Sequence, residues 1–124
     1  REFVVVRQRG GSGSALLQRV PESARFVSSA MRSDRPVLVE ALEGQSELVD
    51  ARWIKLGVSP HSLLCIPVQI EGRFLGLIEL ANPVDGGPYT QVDAEAGLYV
   101  AKRLAEAVAE LGVSLEPEQV LAGA

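Results

Sequence analysis

Apolar positions change their period several times along the chain, and each change predicts an element. Phe3, Val4, Val5 and Val6 form a β-branched and aromatic run that stops at Gly10-Gly11-Ser12-Gly13-Ser14. Residues 2 to 8 are therefore expected to be a strand entering a flexible polar connection. Residues 15 to 20 are a short apolar stretch limited by Pro21, either a hairpin partner for that strand or a lead-in to the next helix. From Glu22 to Asp34 the residues Phe26, Val27, Ala30 and Met31 recur at helical spacing, and Pro36 blocks continuation. Val37, Leu38 and Val39 then read as a short strand. Gly44-Gln45-Ser46 breaks the chain, and Leu48, Val49, Trp53 and Ile54 suggest a second short helix that Gly57 terminates.

The strongest strand pattern lies in residues 63 to 70 and 73 to 80, two apolar runs joined by Glu71-Gly72, a connection suited to a tight antiparallel hairpin. Pro67 has no N–H to give a ladder, so it is expected at a bulge or where its nitrogen points away from a partner. Gly76 is expected to leave room for a close neighbour. Residues 82 to 88 are dense in turn formers. A long helix follows over about residues 92 to 111, closed by Gly112. Along it Gly97, Ala101, Leu104, Val108 and Leu111 alternate in steps of four and three, while Leu98, Ala105 and Ala109 make a neighbouring face. Residues 113 to 124 carry no comparable pattern and read as a tail or linker. The order strand, helix, strand, short helix, hairpin, long helix predicts an α+β fold, an antiparallel sheet flanked by helices.

Composition narrows the chemistry more than the fold. With 124 residues, 47% of them hydrophobic and 23% charged, the chain has enough apolar surface for one folded core. Twelve Lys+Arg against 16 Asp+Glu leave a net charge of -4 without a basic cluster, so no nucleic-acid partner is expected. No apolar run approaches the ~20 residues of a membrane span, and residues 1 to 15 do not resemble a signal peptide. The single Cys65 cannot form a disulfide or a multi-cysteine zinc site within the chain, which suits a reducing cytoplasmic setting. The single His61 leaves any serine or cysteine triad with one base, and no metal or other cofactor is expected.

One family resemblance emerges from the second half. Ser62-Leu63-Leu64-Cys65-Ile66-Pro67-Val68, a glycine turn, Phe74-Leu75-Gly76-Leu77-Ile78-Glu79-Leu80-Ala81-Asn82 and Tyr89-Thr90-Gln91-Val92-Asp93 together resemble the C-terminal half of a GAF domain. Asp34-Arg35-Pro36-Val37-Leu38-Val39 resembles that family's helix leading into a short strand, so the likeness covers roughly residues 2 to 111. By the family's measure an opening helix and strand are missing. Residues 1 to 112 are thus expected to be a GAF-like domain, with a GAF/PAS-like fold, either cut from a longer protein or covered by another molecule. The resemblance implies a non-catalytic, bacterial-style regulatory module that binds a small effector or dimerises, and controls an attached or partner signalling domain. The alternative is a degenerate interaction module without ligand.

Asn82, Tyr89 and Asp93 occupy places comparable to a cyclic-nucleotide signature, but Pro83 and Ala94 stand where lysine and glutamate belong, which undercuts it. Asp93 reads instead as the cap of the last helix, and Asn82 as a tie for its loop. Cys65 falls mid-strand and reads as core rather than as a pigment attachment or thiol-exchange site. His61 and Ser62 are adjacent in sequence and poorly placed as a base and nucleophile pair. The glycine loop at 10–13 lacks the lysine of a phosphate loop. Leu38, Leu42, Trp53, Ile54, Leu64 and Ile66 are the expected apolar lining of an effector cavity, unless they simply fill the core. Arg52 beside them is placed to pair with an anionic ligand. Ala101, Leu104, Val108 and Leu111 are the expected dimer seam of the terminal helix.

Overall fold

A computed structural model of the chain describes residues 2–21, 25–40, 51–112 and 116–122. The first apolar run does find its hairpin partner. Strands β1 (Glu2–Val4) and β2 (Arg19–Pro21) are antiparallel, with Phe3 opposite Val20. The pairing runs on past the strands, since Val5 N–H donates to the Gln18 carbonyl at 3.1 Å and Leu17 N–H to that of Val5 at 2.8 Å. Helix α1 (Arg25–Ser33) occupies the predicted amphipathic segment. It stops at Asp34, whose left-handed φ of 62° and N–H to the Ala30 carbonyl, 3.1 Å, close the last turn before Arg35-Pro36.

The main sheet is antiparallel in the order β3 (Val37–Val39), β4 (Leu63–Ile70), β5 (Arg73–Ala81). Glu71 and Gly72 have φ of 50° and 76°, so both central residues are left-handed as a type I′ hairpin turn requires. Pro67 lies beyond the end of β3, which pairs only with residues 63–65 of β4, so on that side its missing N–H breaks no ladder. A bulge between Val68 and Gln69 leaves Leu75 without a partner across the ladder. Gly76 borders this bulge, and a Cβ there would meet nothing within 4 Å, so the close approach expected at Gly76 is absent among the described residues. The close approach lies instead at Gly97, where a Cβ would run into the Cδ1 of Ile66.

Successive residues of a strand face opposite ways, and this alternation divides the core in two. Leu64, Ile66 and Val68 pack on one face against Ala94, Ala101 and Ala105 of α3 (Gln91–Leu111). Leu63 packs on the other with Trp53 of α2 (Ala51–Leu56), alongside Phe26 of α1. Each fully buried Leu or Ile contributes about 1.5–3 kcal/mol, so the alanine-lined contact between α3 and β4 is the main apolar layer. Small residues on the helix let its backbone approach the larger side chains of the strand.

Helix α3 begins differently from the expectation that Asp93 is its cap. Thr90 is the N-cap, its Oγ1 accepting from Asp93 N–H at 3.3 Å, and the Asp93 carboxylate accepts from Thr90 N–H at 2.8 Å. The reciprocal pair satisfies two backbone donors where a single cap would satisfy one. Gly112 ends the helix with φ 78°, donating to the Val108 carbonyl at 2.9 Å. Beyond it, residues expected to be patternless include a further short helix, α4 (Pro117–Ala122), whose Val120 is fully buried. Pro117 opens that helix at the position where a missing N–H costs nothing.

Candidate functional site

The sheet face beneath α2 carries a mostly buried ion pair. Glu79 stands opposite Cys65 in the β4–β5 register, and Arg52 reaches it from α2. The pair is bidentate, with Nη1 to Oε1 at 2.7 Å and Nη2 to Oε2 at 3.0 Å, and the two side chains are only 13% and 16% exposed. Two parallel charge-assisted bonds in a mostly dry setting fix both orientation and register. The Arg52 guanidinium also lies 5.9 Å from the centroid of the Trp53 ring, tying the helix's polar and apolar anchors together.

Cys65 sits beside this ion pair, buried. Burial pushes its thiol up to about 12, the Glu79 charge adds to the rise, and the Arg52 charge partly opposes it. At neutral pH the sulfur is a protonated, apolar-like group and a poor nucleophile.

The expected cavity residues do not converge. Arg52 and Trp53 belong to this face, but Leu38, Leu64 and Ile66 pack on the opposite side of the sheet with α3. Ile54 is 74% exposed and turns away from both cores, and Leu42 lies outside the described residues. The parity of β4 is responsible, because Leu63 and Cys65, one position from the expected residues, are the ones beneath α2. Glu79 was missed as well, although a lone carboxylate inside the apolar run of residues 74–80 marks it. Arg52, expected to await an anionic ligand, already has Glu79 as its counter-ion.

The polar loop at the end of this face is braced by Asn82, as its sequence position implies. Its Oδ1 accepts from His61 N–H at 2.8 Å and its Nδ2 donates to the Ser59 carbonyl at 3.2 Å. Asn82 itself holds a left-handed φ of 59°, a conformation that asparagine tolerates better than other non-glycine residues. Ser62, also buried, accepts at its Oγ from Tyr89 N–H at 3.2 Å, joining the entry of β4 to the start of α3. We expect Asn82→Ala to cost about 2 kcal/mol in urea unfolding, and Asn82→Gly about as much. Glycine relieves the backbone but restores neither bond, so recovery of stability in Asn82→Gly would show that φ alone sets the preference.

The glycine loop differs from the expected flexible connection. Ser12 and Gly13 N–H groups both donate to the Leu56 carbonyl, at 2.8 and 3.1 Å, so the loop is docked on the C-terminal end of α2. That end of a helix carries partial negative charge, the wrong sign for holding a phosphate. Among the described residues, no group of three or more His, Cys, Asp or Glu side chains is placed to hold a metal ion, and no helix is long and apolar enough to cross a membrane.

Comparison with known proteins agrees with this architecture. A search of curated proteins finds no match to the chain. Among solved structures the chain is similar to the GAF domain/HD domain protein from Geobacter sulfurreducens, with a TM-score of 0.59 at 16% sequence identity. The likeness covers 80% of this chain and 65% of that one, so at this identity it speaks for the fold. The family model for the GAF domain matches residues 4–109, which take in β2, the main three-stranded sheet with its hairpin, and nearly all of α3. On that match the chain belongs to the GAF domain family.

Proposed function

We propose that the chain is a non-catalytic regulatory domain that self-associates through α3 and passes its state to an attached output domain. The observation that supports this is an apolar flank of α3 left uncovered by its own sheet. Val100, Leu104, Ala107 and Leu111 are exposed and follow one another in steps of four, three and four, the spacing of a two-helix seam. Leu104 is 42% exposed and Leu111 82%. A self-complementary seam of this kind suits a second copy of the same helix. The seam differs from the one expected from sequence in half its members, since Ala101 is buried against β4 and Val108 is half-buried, whereas Leu104 and Leu111 remain outside.

Leu104→Glu is expected to give a folded monomer in sedimentation or light scattering, because the charge enters the seam and not the core. Ala101→Glu, by contrast, is expected to unfold the domain. An unchanged dimer in Leu104→Glu would place the interface elsewhere, and a wild-type monomer at micromolar concentration would remove the reading.

A second reading, favoured by the polar anchoring of the opposite sheet face, is a small effector bound near Arg52, Trp53 and Glu79. Thermal shift with pooled metabolites separates the two, since a ligand that binds only the folded state must raise its stability. A dimer that no metabolite stabilises would support an interaction module alone. The output domain is proposed by analogy with the Geobacter sulfurreducens protein, described as pairing a GAF domain with an HD domain. A reducing, cytoplasmic setting belongs to this reading, supported by Cys65 being a buried free thiol.

A further inference from the structure

We infer that residues 10–13 form a strap that clasps the C-terminal end of α2 and so controls exposure of the sheet face beneath Arg52. Three independent features meet there. The Leu56 carbonyl, at a helix end where acceptors lack intrahelical donors, receives both the Ser12 and the Gly13 N–H. The contact also leaves no room for a Cβ at two glycines, and a third beside it, Gly57, holds a left-handed φ of 71°. A Cβ on Gly11 would lie 2.7 Å from the Leu56 carbonyl oxygen, one on Gly13 would run into the Lys55 carbonyl oxygen, and one on Gly57 would strike the Ser12 hydroxyl. Finally, Gln8 holds the loop's shape from within, its Nε2 donating to the Gly13 carbonyl at 3.1 Å and its Oε1 accepting from Ala15 N–H at 2.7 Å.

The strap has mechanical reach in both directions. It belongs to the β1–β2 hairpin, which is anchored to the main sheet by the edge-on contact of Phe3 with Phe74, ring centroids 5.6 Å apart. At its other end it holds a helix of six residues, far below the ~12–15 that sustain a helix in isolation. Helix α2 therefore stays in place through Arg52, Trp53 and the strap together. Release of the strap lets α2 lift, carrying Arg52 away from Glu79 and opening the face on which Cys65 lies. The inference rests on the fold alone and stands whether or not an effector uses that face.

Cys65 and Trp53 are the only cysteine and tryptophan of the chain, and they report the event without labels. In the full chain, Gly13→Val is expected to speed reaction of Cys65 with an aromatic disulfide by about tenfold or more, with red-shifted Trp53 emission and unchanged circular dichroism. Gly86→Ala, which adds left-handed strain at φ 81° in another loop but meets no neighbour within 4 Å among the described residues, is expected to leave the rate at the wild-type value. A folded Gly13→Val with wild-type thiol reactivity would overturn the inference. Hydrogen exchange on the unaltered chain decides independently of how the variant folds. The amides of Ser12 and Gly13 should exchange together with those of Gly57 and Val58, which bond to Ile54 and Trp53 carbonyls, and about tenfold or more faster than the β4–β5 ladder. Strap amides that exchange well ahead of Gly57 and Val58 would show that the loop opens by itself, and the inference would fall.

Discussion

Gly97→Val is expected to destabilise the domain by about 3 kcal/mol, the upper part of the usual range for forcing extra carbons into a packed core. The new Cβ runs into the Cδ1 of Ile66, itself buried, and lies 3.9 Å from the Cδ2 of Leu64, so the incoming methyls meet side chains already filling the space between α3 and β4. Gly97→Ala tests the same contact more gently. It gains about 1 kcal/mol of helix propensity and loses about 1–3 kcal/mol to overpacking, for a net loss of about 1 kcal/mol. Shortening the obstruction in the same chain with Ile66→Val removes the Cδ1. The double variant should then be more stable than the sum of the single effects by about 1 kcal/mol in a urea-unfolding cycle. Strict additivity would show that the helix shifts along the sheet and that the contact is not a stop.

Glu79→Gln should cost about 2 kcal/mol, because a mostly buried guanidinium loses a bidentate, charge-matched acceptor. The figure sits below the largest losses seen for broken buried pairs, since both side chains retain some solvent. A second readout separates electrostatics from packing. The Glu79 charge helps hold the Cys65 thiol up, so in Glu79→Gln the thiol should titrate below its wild-type value of about 12, while burial keeps it above the ordinary range. The direction is checked by thiolate absorbance against pH. A stability loss with no downward movement of the thiol would mean that Glu79 acts by shape alone. The exposed Arg103–Glu106 pair, 3.4 Å apart on α3, supplies the contrast, since its removal should leave the unfolding midpoint where it was.

How much of this was legible beforehand depends on the distance over which each feature is decided. The β4–β5 hairpin could be read because Glu71-Gly72 is local turn chemistry flanked by two apolar runs. The end of α3 could be read because Gly112 follows the last periodic residue. Its start lies one residue before the expected position and its cap, Thr90, three residues before Asp93, since both Thr90 and Asp93 are suitable residue types and only the reciprocal geometry assigns their roles. The short β1–β2 pairing stayed open between two alternatives, because three-residue strands carry little periodicity.

The cavity lining and the seam both depend on which way a side chain faces. In β4, residues 63 to 68 are all apolar or small, and all are buried, so nothing in the run marks which positions face α2 and which face α3. A strand buried on both faces has no alternation to read, and a slip of one position exchanges the two cores. Along α3 the same ambiguity holds. Alanine is acceptable inside and outside, so nothing in the pattern separates Ala101, which seats the helix on the sheet, from Leu104 and Leu111, which stay outside.

The sequence by itself determined the order of the elements from α1 to α3, the β4–β5 turn, the family and the exclusion of chemistries that need more than one histidine or cysteine. Those properties are local or compositional, settled within a few residues or by counting. The tertiary structure decided the two faces of the sheet, the pairing of Arg52 with Glu79 across 27 positions, and the docking of residues 12 and 13 on Leu56. Each of these depends on how far apart in sequence two groups lie and which way a buried backbone happens to turn them. That is fixed by the joint packing of helix and sheet, and no single segment carries it.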